Sequence, residues 1–505
     1  MSSVASATVT PEKVAPVGRL WCPFHVTIAA TIALFTFFFC GQSIADPDIW
    51  WHLKDAQILV QQHHWIRVDQ FSYTVRGTPW VNSEWLSELV FYGIWKIHGV
   101  AALFFGYVAI VELMMVGILA LAYRASDSIK ASAFATGVAV VFAVVNFGPR
   151  TILLGWACLL ALMFVLWKLM KDGDAPLWTV PLIFLLWVNL HGSWLIGLIV
   201  FAIVVGSGFV SGTWGKVVAE RWTPRVRRKL LITAAAIVPV LFVNPYGYKG
   251  VIYPFDLAFR QKLNVSHVVE WASVNFHEPR GKVVCGLLLA LLLLALAGRR
   301  QWKLAEVGMV AFGLYMSLTY VRFLFPGAIL IAPILARQMD FVPAYNRKVD
   351  KSWVNALFSA ALLAIIAWRW PTAKILNDDL AKKMPIGGMH YLQTHMASGD
   401  RVFNHYMYGG WMIWNEPSIP TFVDSRTDIF EYKGLLADYL DAIGLKNSLA
   451  IMDRYHTKYI FFPSKDDPFT YFLRHTDGWH LVYDDGVSCV FERSQSKSQG
   501  VTGTS

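Results

Sequence analysis

The chain has 505 residues, of which 56% are hydrophobic and only 15% charged. Soluble domains usually carry about 25% charged residues, so this composition excludes an ordinary soluble protein and reads as a polytopic membrane protein with some soluble mass. The formal net charge is +10, yet residues 371–505 hold 13 Lys and Arg against 16 Asp and Glu; the basic excess belongs to loops between apolar spans, which argues against nucleic acid as a partner.

Residues 1–23 read as a cytoplasmic tail rich in Ser, Ala, Val and Pro, with Lys13 and Arg19 ahead of the first apolar run. That run, Val26 to Ile44, is followed by no small-residue cleavage site, so a retained anchor is expected. About 19 residues at ~1.5 Å each suffice to cross a hydrocarbon core. The five cysteines are scattered and never spaced Cys-x-x-Cys, which supports neither a disulfide framework nor a zinc site.

Asp46-Pro47-Asp48 comes next, at the end of the first span. Ile49, Leu53, Ala56 and Val60 then fall at helical spacing, with Asp48, His52 and Asp55 on the other face. The pattern predicts an amphipathic helix in the membrane interface, its apolar side in lipid and its carboxylates toward water. A surface loop with Trp anchors and solubilising Asp is the plainer reading. Against it stands the crowding of Asp46, Asp48, His52, Asp55, Asp69 and Glu84 among Trp50, Trp51, Trp80 and Trp85. Paired carboxylates beside aromatic rings suit sugar chemistry, in which a base takes a hydroxyl proton and a flat ring stacks on a pyranose.

Eleven apolar stretches follow from hydropathy: 24–45, 100–123, 131–147, 151–169, 177–191, 194–212, 230–245, 283–298, 304–320, 323–337 and 353–370. With the N terminus inside, every basic loop (Arg124/Lys130, Lys168/Lys171, Lys216 to Lys229, Arg299 to Lys303, Arg337 to Lys351) faces the cytoplasm. The first loop, 46–99, the Asn244 to Lys282 loop and everything after Trp370 then lie outside. Arg150, His191 and Arg322 stand at the outer ends of spans, where a charge is costly unless a cavity or partner receives it. Snorkelling to headgroups and structural ion pairing are the alternatives. The Asn244 to Lys282 loop offers Lys249, Glu270 and His277, and either covers a site or only connects two helices.

Residues 371–493 read as an outer-side soluble α/β domain. Val402 to His405, Thr421 to Val423 and Tyr459 to Phe462 look like strands, Leu435 to His456 like a helix, and His480 to Glu492 like a hairpin turning at Asp485-Gly486. Asp424 and Arg426 mark a charged loop that either binds substrate or braces itself by an ion pair. Residues 494–505 are polar and expected to be disordered.

The chain resembles the C-type (GT-C) polytopic membrane glycosyltransferases, in particular bacterial relatives of protein O-mannosyltransferases and of the lipid A aminoarabinose transferase. The resemblance rests on Asp46-Pro47-Asp48 before an amphipathic helix, the Arg67 to Tyr73 segment, Gly77-Thr78-Pro79-Trp80 and Glu84-Trp85-Leu86. It departs from the family in that Pro47 separates the acidic pair. Tyr406 to Trp411 is similar to an oligosaccharyltransferase acceptor motif but lacks its Asp, and no role is carried over.

The resemblance implies about eleven transmembrane helices and transfer of a hexosyl or pentosyl group from a polyprenyl-phosphate donor. The acceptor would be a hydroxyl of a glycan, lipid or protein, at the outer face of a bacterial inner membrane. Asp46 or Asp48 would be the base, His52, Glu84, Arg150, His191 and Arg322 would contact substrate, and inversion would need no covalent intermediate. The spaced carboxylates also permit a divalent cation, Mg or Mn, held by Asp46 and Asp48. A transporter or lipid flippase with an outward polar cavity is the rival from another class, and a scaffolding membrane protein with a binding tail is a third.

Overall fold

The structure, a computed structural model, describes residues 21–41, 44, 46–267 and 269–494; most of the expected cytoplasmic tail and of the expected disordered tail lie outside the described residues. The membrane part runs α1 Phe24–Cys40, α2 Asp48–Gln62, α3 Trp85–Ser126, α4 Ile129–Ala143, α5 Ile152–Asp172, α6 Thr179–Leu190 and α7 Trp194–Ser207. It continues with β1 Gly212–Trp214, β2 Val217–Ala219, α8 Pro224–Leu241, α9 Tyr248–Arg260, α10 Lys262–His267, α11 Pro279–Ala297, β3 Trp302–Lys303, α12 Leu304–Thr319, α13 Leu324–Gln338 and α14 Ser352–Trp368.

All eleven predicted apolar stretches fall on helices. Among the described residues five are long and apolar enough to cross a membrane, or six if α14 joins α15 (Ala373–Ala381) across a 51° bend; this is an integral multi-pass membrane protein. Length and composition do not fix eleven crossings. The helices α1, α6, α7 and α12 are shorter apolar ones, and Arg225, Arg227, Arg228 and Lys229 keep the first half of α8 polar. At the centre lies α13, apolar on every side and buried along nearly its whole length between α3, α4 and α12, as a helix without a polar stripe must be.

α3 is two limbs. His98 and Gly99 leave helical geometry, Gly99 at φ +57°, a conformation that glycine adopts without steric cost. The limb before the break belongs to the first loop and the limb after it is the span.

The first loop is where the structure corrects the sequence reading. Ile49, Leu53 and Ala56 are fully buried, but so are His52 and Asp55, and α2 packs between α3 and the C-terminal helix α17, Tyr406–Asn415. Its apolar face meets protein rather than lipid. Trp50 and Trp411, for example, meet edge to face at 4.6 Å. Amphipathic spacing identifies a face that leaves water without saying what replaces the water.

The C-terminal sheet-containing domain continues with α16 Ile386–His395, β4 Val402–Asn404, α17 Tyr406–Asn415, α18 Thr427–Glu431, α19 Leu435–Ile443, α20 Ser448–Arg454, β5 Tyr459–Pro463, α21 Pro468–Arg474, β6 Trp479–Asp484 and β7 Ser488–Arg493. The sheet order is β4-β5-β7-β6, with β4 parallel to β5 and the other pairs antiparallel. The predicted hairpin is present, with Gly486 at φ +81°. The predicted helix over 435–456 is two helices, broken where Leu445 and Asn447 take positive φ. The predicted strand Thr421 to Val423 is instead a single bridge, Thr421 to Ser72 of the first loop.

That bridge is one of several ties between the first loop and the C-terminal domain. Thr74 donates to the Phe422 carbonyl at 2.6 Å and Tyr73 to that of Val402 at 3.2 Å. Trp51, Phe71 and Trp80 enter one apolar cluster with Phe403, Phe422 and Tyr439. Gly409 and Gly410 permit the closest approach: a Cβ on Gly410 would meet the Pro47 carbonyl oxygen at 2.2 Å, and one on Gly409 the Asp424 Cα at 2.6 Å. The helix α17 therefore rests directly on both segments that carry acids into the site.

Candidate active site

The segment between α1 and α2, the start of α2, the turns before α3 and α5, the 3₁₀ turns Val269–Trp271 and Val321–Phe323, α9 and the starts of α17 and α18 enclose a cavity of about 430 Å³. Asp46, Asp48, His52, Glu84, Arg150, His191, Glu270, Arg322 and Arg426 all line it. Residues separated by almost 400 positions in sequence thus meet around one hollow.

The two acids after α1 differ in their surroundings. Asp46 accepts the Asp48 backbone N–H at 2.9 Å through Oδ1 and is paired with Arg150 Nε through Oδ2. Arg150 uses its NH1 on Glu270, so this guanidinium lies between two carboxylates. Asp48, at the first turn of α2, has a buried Oδ1 with no hydrogen-bond partner. Burial and the neighbouring Asp46 raise its pKa to about 7, against the pull of His52, Ser425 and Arg150, as desolvation and a like charge both disfavour the anion.

A second layer holds Glu84 and the histidines. Glu84 Oε2 accepts the Thr151 hydroxyl and lies 3.5 Å from His52 Nε2, while its Oε1 lies 3.3 Å from His191 Nε2. Burial works to raise the Glu84 pKa, but His191, His52, Thr151 and Arg322 outweigh it and keep the carboxyl below its ordinary range. His191 Nδ1 accepts the Ser193 backbone N–H at 2.9 Å, which leaves its ring hydrogen on Nε2, facing Glu84. His52 does not hydrogen-bond Asp48, although it lies four residues on along the same helix. Its Nδ1 is 2.8 Å from Glu88 Oε1, and Asn82 Nδ2 bridges Glu88 and Asp55 at 2.8 and 3.3 Å.

Arg322 is held differently. The Val321 N–H donates to the Ala272 carbonyl at 2.9 Å, which sets Trp271 beneath the Arg322 guanidinium at 4.4 Å from the ring centroid. Among the described residues it has no carboxylate within salt-bridge distance, and its buried Nε has no hydrogen-bond partner. A guanidinium stacked on an indole and lacking an anion is a ready receiver for a phosphate.

No family model matches the chain, and no curated protein sequence matches it. Among solved structures, the chain is similar to the oligosaccharyltransferase of Archaeoglobus fulgidus in its apo form, at 12% identity and a TM-score of 0.49, over 94% of this chain and 75% of that one. It is similar also to the archaeal oligosaccharyltransferase AglB from Archaeoglobus fulgidus in complex with an inhibitory peptide and a dolichol-phosphate, at 12% identity and 0.45, over 94% and 74%. Likeness at this level carries no argument about chemistry.

Three predicted residues stay outside the cavity. Lys249, at the second position of α9, and His277, in the turn before α11, are both exposed and line no part of it; the helix α9 turns Tyr253 and Leu257 inward instead. Asp424 is fully buried and bound to Arg426, which Asp69 also grips at 2.7 Å. The bracing reading of that loop therefore holds for Asp424, while Arg426 both braces and lines the cavity.

Sequence reasoning took Ser425 and Asp428 only as members of the charged loop Asp424 to Asp428 and missed Tyr253; Tyr253 and Asp428 are hydrogen-bonded at 3.3 Å, and Ser425 Oγ accepts the Trp51 indole N–H at 3.1 Å. Burial raises the Asp428 pKa to about 7 despite Arg426. The advance signal for Ser425 and Asp428 was their place in the charged segment Asp424 to Asp428; Tyr253, in the Asn244 to Lys282 loop, had none of its own.

The acids do not form a metal cradle. Asp46 is already taken up by Arg150 and a backbone N–H, and among the described residues no group of three or more His, Cys, Asp or Glu side chains could hold a metal ion.

Proposed function

We propose that this protein is a GT-C membrane glycosyltransferase that moves a sugar from a polyprenyl-phosphate donor to a hydroxyl acceptor at the outer face of the membrane, with inversion. The observation that carries the reading is the pairing, across one cavity, of a partnerless buried carboxylate oxygen on Asp48 with an Arg322 guanidinium whose Nε has no hydrogen-bond partner and which no carboxylate reaches within salt-bridge distance among the described residues. Such a reaction needs a base on one side of the anomeric carbon and a cation on the other. The acceptor O–H gives its proton to Asp48 as its oxygen bonds to the anomeric carbon. The bond from that carbon to the phosphate oxygen breaks, and the phosphate leaves with the electron pair toward Arg322.

Asp48 rather than Asp46 is the base, because Asp46 is spent on Arg150. Glu84, kept ionised by its histidines, and Asp428 with Tyr253 serve sugar or acceptor hydroxyls. Trp51, Trp80 and Trp271 supply ring faces for a pyranose. The positive-inside pattern supports an outward cavity and a cytoplasmic N terminus, and the resemblance to relatives of protein O-mannosyltransferases and the aminoarabinose transferase supports a bacterial inner-membrane enzyme.

The test is transfer from a polyprenyl-phosphate-linked sugar by purified Asp48→Asn and Asp46→Asn proteins. A general base contributes about 10²- to 10⁴-fold. Asp48→Asn is expected to fall by at least about 10²-fold and Asp46→Asn by less. If neither loses tenfold, or if substrate crosses vesicles with no covalent change, the transferase reading fails.

A further inference from the structure

A second, smaller cavity of about 140 Å³ lies among Met170, Ser207, Trp222, Trp302, Lys303 and Arg337. Its position follows from the helices. α5 starts at Ile152 in the wall of the large cavity and carries Met170 in its last turn. α7 starts beside His191 and ends at Ser207. α13 follows Arg322 and ends near Arg337. A helix of 21 residues such as α5 is about 30 Å long, close to the thickness of a hydrocarbon core. The two cavities therefore sit at opposite membrane surfaces, joined by the same helices.

The chemistry of this hollow is rich in donors. The Trp302 side chain is 6% exposed, and its indole N–H has no hydrogen-bond partner, nor has that of Trp222. Lys303 Nζ gives one hydrogen bond to the Met170 carbonyl, and Arg337 gives NH1 to Glu306 at 2.8 Å and to the Gln301 carbonyl at 3.1 Å. An ammonium has three donors and a guanidinium five, so both keep donors in reserve. Of the two nearby acids, Glu306 is fully buried under Arg337 and the Lys303 backbone N–H, and Glu220, which also lines the cavity, is exposed to solvent. The segments that bring Trp222 and Trp302 to the cavity are basic in sequence, with six basic residues and one acid from Lys216 to Lys229 and then Arg299 and Arg300.

We propose that this cavity is a binding site for a phosphate-bearing anion, and that its source is an anionic phospholipid headgroup of the inner leaflet. A buried N–H without a partner costs free energy unless a ligand or water meets it. A basic pocket between transmembrane helices at the cytoplasmic surface is where such headgroups accumulate. Helices that end in this pocket begin at the large cavity, so occupancy would stiffen the frame that carries Thr151, His191 and Arg322. The proposal does not rest on the reaction assigned to the large cavity.

The experiment uses the full chain in detergent with dioleoylphosphatidylglycerol, dioleoylphosphatidylcholine or inorganic phosphate, read by native mass spectrometry and by the thermal midpoint. The wild type is expected to retain phosphatidylglycerol in preference to phosphatidylcholine. Trp302→Phe, which keeps the ring and loses the N–H, and Lys303→Gln are each expected to bind it about tenfold more weakly, the loss of one hydrogen bond to a charged group. Inorganic phosphate raising the midpoint as much, with the same dependence on both variants, would keep the anion site and assign it a soluble source. Equal retention by wild type and variants, or no preference over phosphatidylcholine, overturns the proposal. A photoactivatable phosphatidylglycerol headgroup tests the wild type without any variant: cross-links at 218–222, 301–305 or 337 support the site, and their absence there overturns it.

Discussion

Two arginines at the large cavity, Arg426 buried and Arg322 half-buried, are held in contrasting ways. Arg426 is gripped by Asp424 and Asp69, each at 2.7 Å, and lies over Phe71 and Trp80 at 5.0 and 4.8 Å. Arg322 has one indole beneath it and, among the described residues, no carboxylate within salt-bridge distance. The first joins the first loop to the C-terminal domain. The second faces a hollow that it shares with Glu84, Glu270 and Asp48, none of them within salt-bridge distance. The difference teaches how to tell a brace from a binding group: stacking on aromatic rings is common to both, and what separates them is whether a carboxylate of the protein lies within salt-bridge distance.

Breaking the brace should have the larger effect on the fold. Removing one partner of a buried ion pair costs about 3–5 kcal/mol, because the other charge is left uncompensated. Arg426→Met leaves Asp69 and Asp424 facing each other in apolar surroundings and should lower the thermal midpoint sharply. Limited proteolysis should then cut between the first loop and the C-terminal domain. An unchanged midpoint would show that the apolar cluster around Trp80 and Phe422 holds the two together without the arginine.

Arg322 should behave in the opposite way. Arg322→Lys keeps a cation but loses the planar fork and the stacking on Trp271. Turnover should fall by roughly 10- to 100-fold, with a midpoint near that of the wild type, since no protein ion pair is lost. A phosphate-containing donor analogue that raises the wild-type midpoint should raise that of the variant less. A variant that loses stability and keeps turnover would make Arg322 a brace after all.

Much of this arrangement was legible in the sequence. Asp46 and Asp48 after one span and Arg150, His191 and Arg322 at the ends of others could be placed on one membrane side from hydropathy and loop charge alone, and the structure brings all five to one cavity. Which acid is free could not be read, because it depends on where Arg150, about a hundred residues downstream, puts its guanidinium. The surroundings of α2 were misread for a related reason. Periodicity marks the face of Ile49 and Leu53 but carries no information on whether lipid or α17 covers it. Asp428 and Tyr253 escaped because the contact joins α18 to α9, some 175 residues apart. Lys249 and His277 show the reverse error, charged residues in the right loop whose side chains face away.

The pH profile decides between the two carboxyls raised to about 7, those of Asp48 and Asp428. A general base acts only when unprotonated, so turnover should fall about tenfold per unit as pH drops below about 7 and level off above it. If Asp48 is the base, Asp428→Asn keeps that limb at lower amplitude, whereas a limb abolished by Asp428→Asn alone would move the role to Asp428. Stability should run the other way. A carboxyl whose pKa rises from 3.8 in the unfolded chain to about 7 in the fold binds more proton when folded, so its contribution worsens as pH climbs through that window. Above pH 7, Asp48→Asn should therefore match or exceed the wild type in thermal midpoint while losing most of its turnover, a combination that a merely structural aspartate would not give.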